Sequence, residues 1–226
     1  IELFKLIVVP GPEYKVSPGC GDWLSTKVQK LKSTVELNIN QSLSRLKTDY
    51  VDLLQIHSCS LDVLKKGEII EGLIKIKESG KTRFIGYAGD NEAAAYAMSL
   101  GVFDTLQTTY NLVDQKARLE LFPLIEKQNV GLIIKRPIAN AAWRSTKKIF
   151  VGFSDYFDDS YKERANEMIG LGPLNNEPDN SIELALGYAL SEKLVDTAIV
   201  GTKDDKHLLS NINLAKKGIN LDKNLI

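Results

Sequence analysis

Cysteine and histidine are scarce in this 226-residue chain, with two of each. Cys20 and Cys59 stand far apart with no CxxC or CxxxxH spacing, which argues against a disulfide framework and against structural zinc. The expected setting is reducing and cytosolic. An excess of one charge is also lacking, because 29 Lys and Arg balance 29 Asp and Glu. No global field then recruits nucleic acid or an acidic membrane surface, and any anion site must be local. Stretches such as Leu132 to Ile134 with their neighbours fall far short of the roughly 18 apolar residues of a membrane span. The start has none of the basic, apolar and small-residue segments of a secretory signal. It also has no initiator methionine, and Ile1 leads almost directly into an apolar run, so residues are expected to precede it.

What is present is a hydrophobic content of 43%, enough for a substantial core in a single domain over residues 1–226. Residues 10–33 hold Pro10, Gly11, Pro12, Pro18, Gly19 and Gly21, a density of breakers that predicts a long loop. Ser33 to Glu36 has capping-box spacing, and Val35, Ile39, Leu43 and Leu46 follow at helical spacing, predicting a helix from about 34 to 46. An alternation comes next. Strands are predicted at 51–56, 83–87, 104–108, 131–135 and 196–200, and helices at 67–79, 91–100, 115–129, 181–193 and 204–216. A polar, aromatic insertion lies near 144–165.

Alternating strands and helices specify a parallel sheet with helices outside it, either open or closed into a barrel. No GxGxxG follows any predicted strand, which counts against a Rossmann domain. With the N-terminal run, the count is six strands followed by helices, two units short of an eight-fold barrel. The expected fold is therefore α/β, an incomplete TIM-type (β/α)8 barrel. Val51 to Ile56 reads as a strand covered on both faces, and it delivers His57 to the rim where barrel enzymes keep their chemistry.

Four segments, in order, carry a resemblance to the aldo-keto reductase superfamily from about Thr34 to Ala215. Ser42 to His57, reading SLSRLKTDYVDLLQIH, resembles the family signature around its active-site histidine. Gly80 to Gly86 (GKTRFIG) resembles a strand entry, and Phe103 to Asn111 (FDTLQTTYN) is similar to the family's Q-x-x-Y-N strand. Thr197 to Thr202 (TAIVGT), with His207, Leu208 and Asn211, resembles the last strand and the helix that clamps the cofactor. Tyr87 to Asn91 and Lys135 to Trp143 depart from the commoner forms, as in a less studied branch.

The resemblance implies NADP as cofactor, with NAD as the alternative, and hydride transfer from its reduced form, NADPH or NADH, to a small-molecule aldehyde or ketone. His57 would hydrogen-bond and orient the substrate carbonyl. The family's aspartate and proton-donating tyrosine have no counterpart here, and Tyr14, Tyr50, Tyr87 and Tyr110 stand in contexts that do not match. Two placements are open for the family's lysine. Ser25-Thr26-Lys27-Val28 resembles the strand end that carries it. Alternatively Leu6 to Val9 is that strand, and the lysine position falls on Pro10 or Gly11.

At the cofactor, Gln107 matches the residue that holds the nicotinamide amide, and its two usual partners fall on Ala88 and Gly89. The stacking tyrosine falls on Lys135, so Lys135 or Arg136 is expected at a phosphate instead. Gly201, Thr202 and Lys203 lead into a helix whose first-turn N–H groups suit a phosphate. His207 and Asn211 complete that end, and Lys203, Lys206 and His207 favour the 2'-phosphate of NADP. Asp49 and Asp52 read as strand-entry and packing residues, and Cys59 as structural. Two rival classes remain: a catalytically degenerate barrel that binds nucleotide or a protein partner without turnover, and a barrel lyase using Lys135 as an imine-forming amine.

Overall fold

A computed structural model describes residues 6–10, 31–142, 155–202, 204–218 and 221. The chain divides into two compact units, one formed by Ile1–Thr108 with Glu120–Gly131 and the other by Thr109–Leu119 with Leu132–Ile226.

In the first unit, strands β1 (Leu6–Pro10), β2 (Val51–His57), β3 (Thr82–Ala88) and β4 (Thr105–Thr109) pair in parallel in chain order. Every residue from Val51 to Ile56 is buried, as a run of Val, Leu and Ile in a two-sided parallel strand requires. Burial of each such side chain contributes about 1.5 to 3 kcal/mol. Helix α1 (Leu31–Leu46) lays Val35, Ile39 and Leu43 inward at four-residue spacing. It begins before Ser33, so the Ser33 to Glu36 spacing lies inside the helix and does not cap it.

Between β2 and β3 the chain forms α2 (Leu61–Lys66) and α3 (Glu68–Glu78), joined at Gly67. The short α2 is additional to the sequence reading. Its start is marked by Ser60, whose hydroxyl accepts from the Val63 N–H at 3.4 Å. α4 (Asn91–Ser99) follows β3. The single helix expected over 115–129 is two, α5 (Lys116–Glu120) and α6 (Phe122–Gln128). Pro123 explains the break, because a proline without an N–H is tolerated in a first turn and not in a helix interior.

Two aspartates tie the strands at their entry ends. Asp104 accepts the Ile85 N–H at 2.8 Å and holds Lys77 Nζ at 2.7 and 2.9 Å. Asp52, which is 6% exposed, pairs with Arg83 Nη1 at 2.7 Å, so its expected packing role is the one it has.

In the second unit, β5 (Gly131–Lys135) pairs in parallel with β6 (Thr197–Ile199), and α7 (Asp155–Gly170), α8 (Ser181–Ser191) and α9 (Asp205–Lys217) accompany them. Asp196 repeats the device of Asp104, accepting the Leu132 N–H at 2.8 Å. α7 falls in the polar, aromatic insertion. Val113, Ala139, Tyr161 and Ala165 form a small buried cluster, and Tyr110 packs on Tyr188 with ring centroids 5.4 Å apart. Tyr110 is therefore a core residue, and burial beside Tyr188 pushes its phenol far above the usual range. β6 is the least covered strand among those whose side chains are described, with Thr197 and Ile199 exposed.

Candidate active site

In a parallel βα fold the polar side chains at the C-terminal strand ends share one rim. On the first unit's rim, His57 closes β2 level with Pro10 of β1 and Ala88 of β3, and Ala88 is level with Gln107 of β4. The ladder continues past the strands, with Ser58 N–H donating to the Ala88 carbonyl at 2.8 Å and Gly89 N–H to that of Gln107 at 3.0 Å. Ser58 then adopts a left-handed φ of 51° and Asn91 one of 55°. Non-glycine residues in that region cost about 1 kcal/mol or more each, and such residues gather at functional rims.

His57 and Gln107 thus flank one small residue at the same height. The position beside His57 on β1 is Pro10, which has no titratable group. Lys27 lies outside the described residues, as do Tyr14 and Lys203.

Tyr87 is buried, and its hydroxyl donates to the Cys59 carbonyl at 2.7 Å. Its ring also fixes the residue at 89, where a Cβ would come within 2.6 Å of Tyr87 Cε1. Gly89 is therefore favoured by a tyrosine two residues earlier, whose ring occupies the space a side chain at 89 would need. Cys59 is buried, in keeping with a structural role.

The Oε1 of Gln107 is buried and has no hydrogen-bond partner among the described residues. An orphaned acceptor of this kind suits a carboxamide N–H, so the nicotinamide end of a dinucleotide fits the first unit's rim. Sequence reasoning missed Gln55, which is fully buried and whose Oε1 is likewise unpartnered. Its signal was available: a glutamine within an apolar strand, two residues before His57 and hence on the same face.

In the second unit Lys135 ends β5 level with Ile199, and both it and Arg136 are half-buried. Arg136, Ala139, Asn140 and Ala141 all have positive φ, from 45° to 57°. The Arg136 carbonyl accepts from Asn111 Nδ2 at 3.0 Å, while Asn111 Oδ1 accepts the Val113 N–H at 3.0 Å. The asparagine of the Q-x-x-Y-N segment is thus a structural clamp. Tyr161, which the sequence did not single out, donates to Asp114 Oδ2 at 3.1 Å. Burial, then the Asp114 charge, push its phenol up to about 12.

Gly201 and Thr202 are exposed, and Thr202 Oγ1 accepts the Asp204 N–H at 3.1 Å. The first turn of α9 differs from expectation: the Lys206 N–H is held by Asp204 Oδ1 at 2.8 Å and Asp205 Oδ1 at 3.0 Å. A phosphate there meets two carboxylates already satisfying the helix end, so the N–H at Lys206 is not available to it. That bond, then the charge of His207, hold the Asp204 carboxyl below its usual range. His207 is exposed with Nε2 3.9 Å from Asp204 Oδ2, and Asn211 is half-buried on the same helix. A separate apolar groove of about 620 Å³ in this unit, between Val113, Met168 and Leu184, is lined by none of the candidate residues.

The family model for the aldo/keto reductase family matches residues 22–224. The chain belongs to the aldo/keto reductase family. It is similar to L-galactose dehydrogenase of Arabidopsis thaliana, 26% identical over 92% of this chain and 66% of that protein. It is also similar to the uncharacterized oxidoreductase YqkF of Bacillus subtilis, 26% identical over 81% of this chain and 61% of that one. Among solved structures, the apo form of aldo-keto reductase AKR11C1 from Bacillus halodurans matches with a TM-score of 0.67 and 22% identity, over 86% of this chain and 66% of that chain. The fold is accordingly that of the aldo/keto reductase (β/α)8 barrel, with six of its strands among the described residues. The chain spans 66% or less of the length of these relatives.

Proposed function

We propose that this chain belongs to an oxidoreductase that reduces an aldehyde or ketone carbonyl with NADPH, NADH being the alternative donor. The observation that carries the reading is the level placement of His57 and Gln107 on either side of Ala88 at the strand ends. His57 donates to the substrate carbonyl oxygen and orients it, stabilising the charge that develops there. Gln107 accepts from the carboxamide and sets which ring face meets the substrate. The nicotinamide supplies the hydride. Lys135, Arg136 and Lys203 give positive charge for the phosphates, with Gly201, Thr202, His207 and Asn211 at the adenosine end and Lys27 the remaining candidate for the catalytic lysine.

None of the buried tyrosines Tyr87, Tyr110 and Tyr161 suits the proton-donor role, because burial and Tyr188, the Cys59 carbonyl or Asp114 already engage them. A second reading, nucleotide binding without turnover, is favoured by Pro10 beside His57 and by the bare Ala88 and Gly89. Titrating the protein with NADPH by fluorescence and assaying consumption with aromatic and aliphatic aldehydes separates the two. Binding with turnover that His57→Gln abolishes supports the reductase. Binding without turnover supports the second reading, and no binding at millimolar NADPH by folded protein removes both.

A further inference from the structure

The second unit carries two exposed apolar surfaces that the proposed reaction does not use, one concave and one convex. The concave one is the groove of about 620 Å³ between α7, α8 and the segment that joins them. Val113 and Ala165 in its lining are buried, while Met168, Leu171 and Leu174 stand exposed along it, Leu171 at 89%. A small-molecule site encloses most of its ligand, and walls this exposed do not. They call for an extended occupant.

The walls also decide the occupant's backbone. Leu171 N–H donates to the Met168 carbonyl and Gly172 N–H to that of Ile169, both at 3.1 Å. Leu174 N–H donates to Glu177 Oε2 at 3.1 Å and Glu177 N–H to the Leu174 carbonyl at 3.2 Å. A strand laid along this segment is denied those groups. A helix keeps its backbone bonds internal and needs only a place for its apolar side chains.

The convex surface is α9. At 3.6 residues per turn, Leu209, Ile212 and Lys216 share one side of it, with Lys206 at the margin, and all four are exposed. The half-buried Asn211 and Leu214 lie round toward the opposite side, as does His207, so Leu209 and Ile212 point away from the packed side. Charge matches as well. Lys206 and Lys216 flank the apolar pair, and the Asp205 carboxylate is turned onto the Lys206 N–H. Glu177 lines the groove and Asp179 is exposed two residues on, while Arg164 on α7 is committed to the Val113 carbonyl at 2.9 Å.

We propose that the groove receives α9 of a second copy of this chain, seating Leu209 and Ile212 against Met168, Leu171 and Leu184 with the lysines beside Glu177 and Asp179. Each copy offers one helix face and one groove. The contact closes into a dimer if a two-fold axis relates two of them, and otherwise extends into a chain. One helix face buries less than the roughly 800 Å² per partner of a standard interface, so association belongs at micromolar concentration.

Sedimentation equilibrium of the full-length protein from about 1 to 100 µM tests this, with the wild-type mass expected to rise with concentration. Leu209→Asp spoils the helix face and Leu171→Asp the groove, and each should be monomeric throughout. Both positions are exposed, Leu209 at 58%, so both variants should keep the wild-type circular dichroism. Mixed in equal amounts they should form heterodimers and nothing larger, because one intact helix face meets one intact groove. Leu209→Ser and Leu171→Ser carry the same comparison if an aspartate prevents folding. A wild type that stays monomeric at about 100 µM overturns the proposal, whether the groove then takes up an apolar dye or a separate helical peptide. So does an assembly that survives either substitution, or a mixture that stays monomeric, because each places the contact elsewhere.

Discussion

His57 and Gln107 stand at one height on the sheet, each in register with Ala88 of the strand between them. They contribute to different steps of the proposed reaction, so their variants should part company. His57→Gln should lower kcat by about 100-fold or more, the usual contribution of a positioned proton or hydrogen-bond donor, and leave NADPH affinity nearly unchanged. Gln107→Ala should do the reverse, weakening NADPH about tenfold. Steady-state kinetics with a direct titration of the cofactor checks both.

Gly86 should tolerate no side chain. Gly86→Ala places a methyl against Thr105 Oγ1 and the Gln55 amide, an overpacking expected to cost about 1 to 3 kcal/mol. Thr105→Ala in the same chain should restore part of that loss. Urea denaturation of the single and double variants measures it, and a neutral Gly86→Ala would show that the gap is not needed.

Arg83 should contribute more to folding than its exposure suggests, because it neutralises the buried Asp52. Arg83→Ala removes the 2.7 Å cationic partner of that carboxylate, while Arg83 itself is 57% exposed and well screened. The expected loss is about 1 to 2 kcal/mol, less than for a fully buried pair. Asp52→Asn with Arg83→Ala should be less damaging than the arginine change alone.

Alkaline pH should weaken the fold through Tyr161. Its phenol is raised in the fold from an ordinary 10.0 to about 12. A raised value means that the fold favours the protonated form. That stability is complete below pH 10 and is lost as pH rises through 12, by about 2 to 3 kcal/mol. Tyr161→Phe should flatten the slope of stability between those values. Denaturation at stepped pH, with tyrosinate absorbance, would detect an early ionisation that contradicts this.

At the N-terminus of α2, Ser60→Ala should cost about 1 kcal/mol, because the hydroxyl satisfies the Val63 N–H. Ser60→Asn, which keeps an acceptor there, should restore most of it in the same denaturation experiment.

Much of the first unit was legible in the residue order. The run Val51 to Ile56 could satisfy its hydrophobic residues only between two covered faces, and that alone put His57 at a rim. Helix α1 was visible in the spacing of Val35, Ile39 and Leu43, and Asp52 as a packing residue from its place at the strand entry. The α5–α6 break was hidden because apolar spacing continues through Leu121, and only Pro123 marks it. At α9 the sequence showed a helix start suited to an anion. Which group meets the Lys206 N–H depends on side-chain geometry, and Asp204 and Asp205 meet it first.

Legible in the residues alone were the alternation of strands and helices, the place of His57 at a strand end and the family, because hydrophobic period and short motifs are properties of contiguous residues. The tertiary structure decided what stands beside them. It set Pro10 next to His57, gave Asn111 to the Arg136 carbonyl, and brought Gln55 across Gly86 to Thr105, 50 residues away. Those relations follow from strand register and from the space a missing side chain leaves, and neither is written in any local stretch of the chain.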